Sequence, residues 1–218
     1  MSAWRFNHLR DSAEFVHGRD LPAERAIWRA SISDSAIVLG SKQDANIVDE
    51  QVCRRDGIAV VRRRSGGGVV FLQADEHLWI DLVVPRDDEL WRDDVGESMW
   101  WVGDLWADAL AKCEIADRDQ LRVHRGGLER SALSDFICFG GLGPGEVSLH
   151  GQKVVGISQR RTREMARFQC VVHKSWSPGA YRKYLLADQK VESEMIAVAE
   201  VSGLNQIAET LVELAASI

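Results

Sequence analysis

Short apolar runs closed by Ser, Asp or Gly dominate the first third of the chain. Ala26-Ile27-Trp28 and Ala36-Ile37-Val38-Leu39 are two of them, and both predict strands. Ile58-Ala59-Val60-Val61 reads as a buried strand that runs straight into Arg62-Arg63-Arg64-Ser65-Gly66-Gly67-Gly68. Val69 to Leu72 and Leu78 to Val84 predict two more strands, the second stopped by Pro85. Ile47 to Arg55, with Val48 and Val52 four apart, reads as a short helix. A longer helix is expected from Asp93 to about Cys113, capped by Asp93 or Asp94. Its stripe is Val95, Met99, Val102, Trp106, Ala109 or Leu110, and Cys113. Further on, Phe136 to Phe139, Val147 to Leu149, Val154 to Ile157 and Phe168 to Val172 read as strands. Leu204, Ile207, Ala208, Leu211 and Ala215 mark a final helix. The polar stretch up to about Leu21 gives no assignment. Helices interrupt the strands without alternating with them, so the expected class is α+β: a mostly antiparallel sheet with flanking helices.

Composition narrows this picture. The chain has 218 residues, 45% hydrophobic and 28% charged, with no linker-like stretch, which fits one folded domain and excludes disorder. The formal net charge of −6 disfavours a basic nucleic-acid binder. No apolar run approaches the roughly 20 residues of a membrane-spanning helix. Met1 to Arg10 lacks the apolar core of a signal peptide, so the cytoplasm is the expected compartment. Cys53, Cys113, Cys138 and Cys170 form no CxxC pair, and His77, His150 and His173 lack metal-ligand spacing, so no metal site is expected. Cys113 falls on the helical stripe and is expected in the core. The eight tryptophans are read as packing residues.

Two segments could carry chemistry. In the first, three glycines follow adjacent arginines at the end of a strand. Such a loop brings backbone close to a ligand, and its consecutive N–H groups can cradle an anion. Taken alone it is as often a glycine turn with solvated arginines, and it matches neither a Walker loop nor a dinucleotide fingerprint. In the second, His150-Gly151 separates Val147 to Leu149 from Val154 to Ile157, which predicts a tight hairpin with Lys153 at its mouth. A lysine held against apolar surface can orient a charged acyl or phosphate group, although most hairpin-edge lysines serve only solubility. Gly156 marks either a close backbone approach or a bulge.

Arg63-Arg64-Ser65-Gly66-Gly67-Gly68-Val69-Val70-Phe71, followed some 80 residues later by Gly151-Gln152-Lys153-Val154-Val155-Gly156-Ile157-Ser158-Gln159, resembles the lipoate-protein ligase A superfamily. That family shares its catalytic fold with biotin protein ligases and octanoyltransferases. The resemblance spans roughly Ile27 to Val172 and rests on two motifs in the family's order. It implies a biotin/lipoyl ligase-like catalytic domain over residues 1–218, with its core at about 25–175. The 46 residues after Val172 fall short of the accessory domain that follows in many ligases. It also implies that Lys153 contacts the acyl carbonyl or acyl-phosphate. Arg63 to Gly68, with Gly156 and Ser158, would cover the acyl group or adenylate.

The superfamily contains two chemistries. Octanoyltransferases take an acyl group from acyl carrier protein, usually through a cysteine thioester, and one such family has Cys-Phe fifteen residues ahead of the lysine. Cys138-Phe139 stands at that distance from Lys153. The favoured expectation is therefore a Cys138 thioester that delivers an octanoyl or lipoyl group to a lysine of an acidic acceptor lipoyl domain. Lys153 would activate the thiol and hold the carbonyl. The alternative is an ATP-dependent ligase, with ATP and Mg, working through lipoyl-adenylate and Lys153; a non-catalytic acyl- or carrier-binding protein is the third. No permanently bound cofactor is expected in any of them. Three positions depart from the family: Leu72-Gln73 replaces His-Asp, Leu142 to Gly145 replaces Pro-Ser-x-Tyr, and Phe168-Gln169-Cys170 replaces a His-His-Gly segment. Arg160, Arg161, Arg163 and Arg167 form a basic cluster that could dock an acidic partner, and Cys170 is a second-choice nucleophile.

Overall fold

Among the described residues, strands β1 (Arg5–Asp11), β2 (Ala26–Ile32), β6 (His77–Pro85), β10 (Met165–His173), β9 (Gln152–Arg161), β8 (Val147–Leu149) and β7 (Leu121–Val123) lie in that order in one sheet. Only the β1–β2 pair is parallel. A smaller sheet places β3 (Ala36–Leu39) between β4 (Ala59–Arg62) and β5 (Val70–Leu72), parallel to the first and antiparallel to the second. The computed structural model describes residues 3–131, 133–176, 182–186 and 198–218. The architecture is α+β with a mixed, largely antiparallel sheet.

Period-two alternation on the two central strands decides what each face of the large sheet does. Leu78, Ile80, Leu82 and Val84 on β6, with Ala166, Phe168, Cys170 and Val172 on β10, belong to one core cluster. Helices α3 (Trp100–Lys112) and α4 (Leu204–Ala215) cover that face with Trp106, Leu110, Ile207 and Leu211. The register sets Trp79 opposite Val171, Asp81 opposite Gln169 and His77 opposite His173, which puts these residues on the other face. Helix α1 (Ala13–Gly18) and the small sheet cover it, packing Ala13, Val16, Val38, Val70 and Leu72 around Trp79. One face of the sheet is thus uniformly apolar, and the other is buried yet partly polar. No helix of the described residues is long and apolar enough to cross a membrane.

Local capping accounts for the departures from the predicted elements. The 93–113 helix starts only at Trp100. A 3-10 turn (Glu97–Met99) precedes it, the Asp94 carboxylate accepting from the Glu97 N–H at 2.8 Å, and Val95 is exposed, off the stripe. Ile47 to Arg55 splits into a 3-10 turn (Ala45–Ile47) and helix α2 (Glu50–Arg55), because Asp49 caps the N–H groups of Gln51 and Val52. Cys113 is half-buried at the end of α3, its Sγ 3.3 Å from Thr210 Oγ1. Phe136 to Phe139 is not a strand. Ile137 makes one isolated parallel bridge to Val69, and Cys138–Gly140 is a 3-10 turn. The unassigned N-terminus holds β1 and α1. β1 is an edge strand with no buried residue, so its sequence carries no apolar signal.

Candidate functional site

His150 and Gly151 both have positive φ (51° and 79°), the conformation of a two-residue hairpin turn between β8 and β9. Two residues on, Lys153 enters the sheet and is buried, so it is not a solvated edge lysine. Its Nζ donates to Glu146 Oε2 at 2.7 Å and to the Cys138 carbonyl at 2.9 Å, and lies 5.0 Å from the centroid of Phe139. Glu146 is itself fixed. Oε2 accepts from the Gly143 N–H at 2.6 Å and Oε1 from the Ile157 N–H at 3.0 Å. With two N–H donors fixing it, the buried carboxyl group holds the lysine in one place.

The glycine loop is braced from within. Arg63 is buried, and its guanidinium donates to the Gly66 carbonyl at 2.8 and 3.1 Å and to the Gly68 carbonyl at 2.8 Å. Ser65 Oγ donates to Ser158 Oγ at 3.1 Å, tying the loop to β9. Arg64 points outward and pairs with Asp20, so of the predicted loop residues it is the one the structure keeps out of the site. Beyond the loop, the Val69 N–H donates to Phe136 O at 2.6 Å and the Cys138 N–H to Val69 O at 2.9 Å, which brings Cys138 against the glycines. Gly67 has φ +99°, and a Cβ on Gly68 would stand 2.7 Å from backbone atoms of Ile137 and Cys138. Gly68→Ala is therefore expected to destabilise the protein by about 1–3 kcal/mol through backbone displacement, measurable by urea unfolding. Gly156 is a close approach and not a bulge, since a Cβ there would meet Phe139 at 2.9 Å.

These segments enclose a cleft of about 260 Å³ lined by Gly66, Gly67, Gly68, Glu146, Lys153 and Ser158. A narrower pocket with about 30 Å³ of free space adjoins it, walled by His17, Val70, Leu72, Trp79 and Val171. Cys138, Ile157 and Ser158 line both. Among the described residues, no hydrogen bond involves Cys138 Sγ, and the N–H groups of Gly66, Gly67 and Gly68 have no acceptor. Of the predicted residues, Lys153, Cys138, Arg63, Ser65, the three glycines, Gly156 and Ser158 converge here.

The sequence reading missed Glu146, His17 and Gln169. The last two sit on or against the polar buried face, and Gln169 was noted only as a departure. The signal for Gln169 is a polar residue at an alternate position of a strand whose other face is all apolar; His17 lies on helix α1 and has no such signal. Burial, then the nearby Arg63, Arg167 and His77, drives the His17 imidazole down to about 3; burial, then His77, does the same to His173. Of the four arginines of the basic cluster, Arg163 is exposed and the other three are engaged within the chain. Arg167 is buried and pairs with Asp81 (2.5 and 3.0 Å), Arg161 stacks over Trp91, and Arg160 pairs with Asp20. Cys170 faces α3, away from the cleft, and burial pushes its thiol up, which removes it as a nucleophile.

A fixed ammonium in a glycine-lined cleft that adjoins a largely apolar pocket can hold a ligand with an anionic end and a hydrocarbon stem. The chain belongs to the lipoyl protein ligase A/B catalytic domain family, whose sequence model matches residues 13–216, and it is an enzyme of that superfamily, acting in protein lipoylation. Solved structures share the fold. The bipartite lipoate protein ligase of Thermoplasma acidophilum, described with its E2 lipoyl domain, is 15% identical at a TM-score of 0.72, covering 100% of this chain and 84% of that one. A lipoate-protein ligase A bound with ATP is 14% identical at 0.70, covering 99% and 85%. P. falciparum LipL1 in complex with lipoate is 11% identical at 0.67, covering 98% and 62%. No curated protein sequence matches the chain.

Proposed function

We propose that the chain is an ATP-dependent lipoate-protein ligase. It would activate a lipoyl-type acid as the acyl-adenylate and pass the acyl group to a lysine of an acceptor lipoyl domain. The observation that carries this reading is the run of three glycines that line the same cleft as Lys153 and whose N–H groups have no acceptor among the described residues. Consecutive free N–H donors suit phosphate oxygens, and an adjacent ammonium suits the charge shared between the acyl carbonyl and the α-phosphate. ATP would supply the leaving group. In this chain, Gly66 to Gly68 and Lys153 would hold the acyl-phosphate, Glu146 would orient the ammonium, and Val70, Leu72 and Val171 would take the hydrocarbon stem. The fold shared with the ATP-bound ligase adds support, and the bipartite ligase described with an E2 lipoyl domain supports such a domain as acceptor.

A Cys138 thioester, fed by octanoyl-acyl carrier protein, is the second reading, because Cys138 lines both the cleft and the pocket. It is the weaker of the two. A thiol becomes a good nucleophile beside an unneutralised cation or a base. Lys153, whose ammonium donates to the Cys138 carbonyl, already faces the Glu146 carboxylate, and the Arg63 guanidinium is engaged by the Gly66 and Gly68 carbonyls. Cys138 Sγ has no hydrogen-bond partner among the described residues.

Mass spectrometry of an acceptor lipoyl domain separates the two. Modification is expected with lipoate, ATP and Mg, and is expected to persist in Cys138→Ser. An octanoyl adduct on Cys138 formed from octanoyl-acyl carrier protein without ATP, and chased onto the acceptor, would establish the thioester route instead.

A further inference from the structure

The apolar pocket beyond Lys153 is bordered by a polar group that acyl activation does not use. His17, on α1, is 7% exposed and lines that pocket, with its ring 4.3 Å, centroid to centroid, from Trp79. Its Nδ1 lies 3.5 Å from Nε2 of Gln169, an amide nitrogen that can only donate. Nδ1 is therefore the acceptor, and in the neutral ring the proton sits on Nε2. The depressed pKa of about 3 keeps that ring neutral at pH 7. Nε2 is buried and has no hydrogen-bond partner among the described residues. Buried donors are almost always satisfied, so an open one on a residue that lines a pocket is a position a ligand can complete.

We propose that His17 reads the far end of the acyl chain, its Nε2–H donating to an acceptor heteroatom there. The enzyme would then prefer an acyl group with oxygen or sulfur near its distal end over one that ends in a bare methyl. This inference rests on the acyl-attachment reading above and narrows its substrate class. The surroundings agree with an acceptor. Val70, Leu72 and Val171 give the stem only hydrocarbon to touch. The guanidinium groups of Arg63 and Arg167 both act on His17 and make the locale unfavourable to a cationic end. A sulfur would in addition lie against the Trp79 and His17 rings, a favourable contact.

Isothermal titration of the full chain with octanoate, 8-hydroxyoctanoate and lipoate, without ATP or acceptor, tests this directly. The readout is the ratio of the octanoate dissociation constant to that of each heteroatom-bearing acid. His17→Phe keeps a ring on Trp79 but has no N–H, and it is expected to lower that ratio roughly 2- to 12-fold. His17→Gln, which restores a donor, is expected to recover part of it. If His17→Phe does not fold, His17→Leu gives the same reading. An unchanged ratio, or an equal loss of affinity for all three acids, overturns the inference. Acceptor modification without discrimination at His17 would leave the ligase reading standing and remove this one. Discrimination without any acceptor modification would do the reverse.

Discussion

Lys153→Met is expected to abolish acyl transfer and to lower folding stability by about 3–5 kcal/mol. Both effects have one source. The Lys153 and Glu146 side chains are only 4% and 5% exposed, so removing the ammonium strands a carboxylate where water cannot replace it. The N–H groups of Gly143 and Ile157 still reach Glu146, which places the loss toward the lower end of that range. The double variant Lys153→Met/Glu146→Gln removes the stranded charge. It is expected to regain part of the stability, read by urea unfolding, and none of the transfer, read as acceptor mass. Activity returning with stability would show that Lys153 only supports the fold. Loss of activity in a restabilised protein would place the ammonium at the reacting carbonyl.

The elements legible in the sequence are those whose two faces differ. β6 and β10 show themselves through Leu78, Ile80 and Leu82, and through Phe168, Cys170 and Val172, all directed at α3 and α4. The alternate residues of the same strands, Asp81, Gln169 and His173, look like ordinary polar positions until the second layer covers them, and Gln169 then lines the apolar pocket. β1 is invisible because an exposed edge strand needs no apolar residues, and Ile137-Cys138-Phe139 misleads because an apolar triplet fits a buried turn as well as a strand. The site was legible as two motifs, since loop and lysine each keep their spacing within one segment. Glu146 could be seen only once Lys153 was known to be buried and in need of a counter-charge. The cysteine spacing was legible too, but spacing carries no information on activation. The proposed preference for the adenylate over the thioester rests in part on the Lys153–Glu146 ion pair, which no sequence spacing reveals.

Lowering the pH from 7.5 to 5 is expected to remove about 4 kcal/mol of stability, before most carboxylates titrate. His17 and His173 each have an ordinary value of 6.5 and a folded value of about 3. Between those two values the unfolded chain binds protons that the folded chain refuses, so stability rises with pH across the window and falls on acidification. At pH 5 each group contributes about 2 kcal/mol to the loss, from one and a half pH units at about 1.4 kcal/mol per unit. The packing explains the refusal. A charged His173 would sit between Phe139 and Trp176, at ring distances of 4.7 and 4.8 Å, with His77 as its titratable neighbour. A charged His17 would face Arg63, Arg167 and His77. Burial shifts His77 in the same direction, so it adds to the slope and does not offset it. Urea unfolding at pH 7.5, 6 and 5 reads the effect. His17→Phe and His173→Gln should each flatten the dependence by about one proton, and the double variant by about two. A stability that is level between pH 6.5 and 5 would mean that these rings take up protons in the folded state. Nε2 of His17 would then carry a charge into the acyl pocket instead of a neutral donor, and the pocket would favour an anionic chain end.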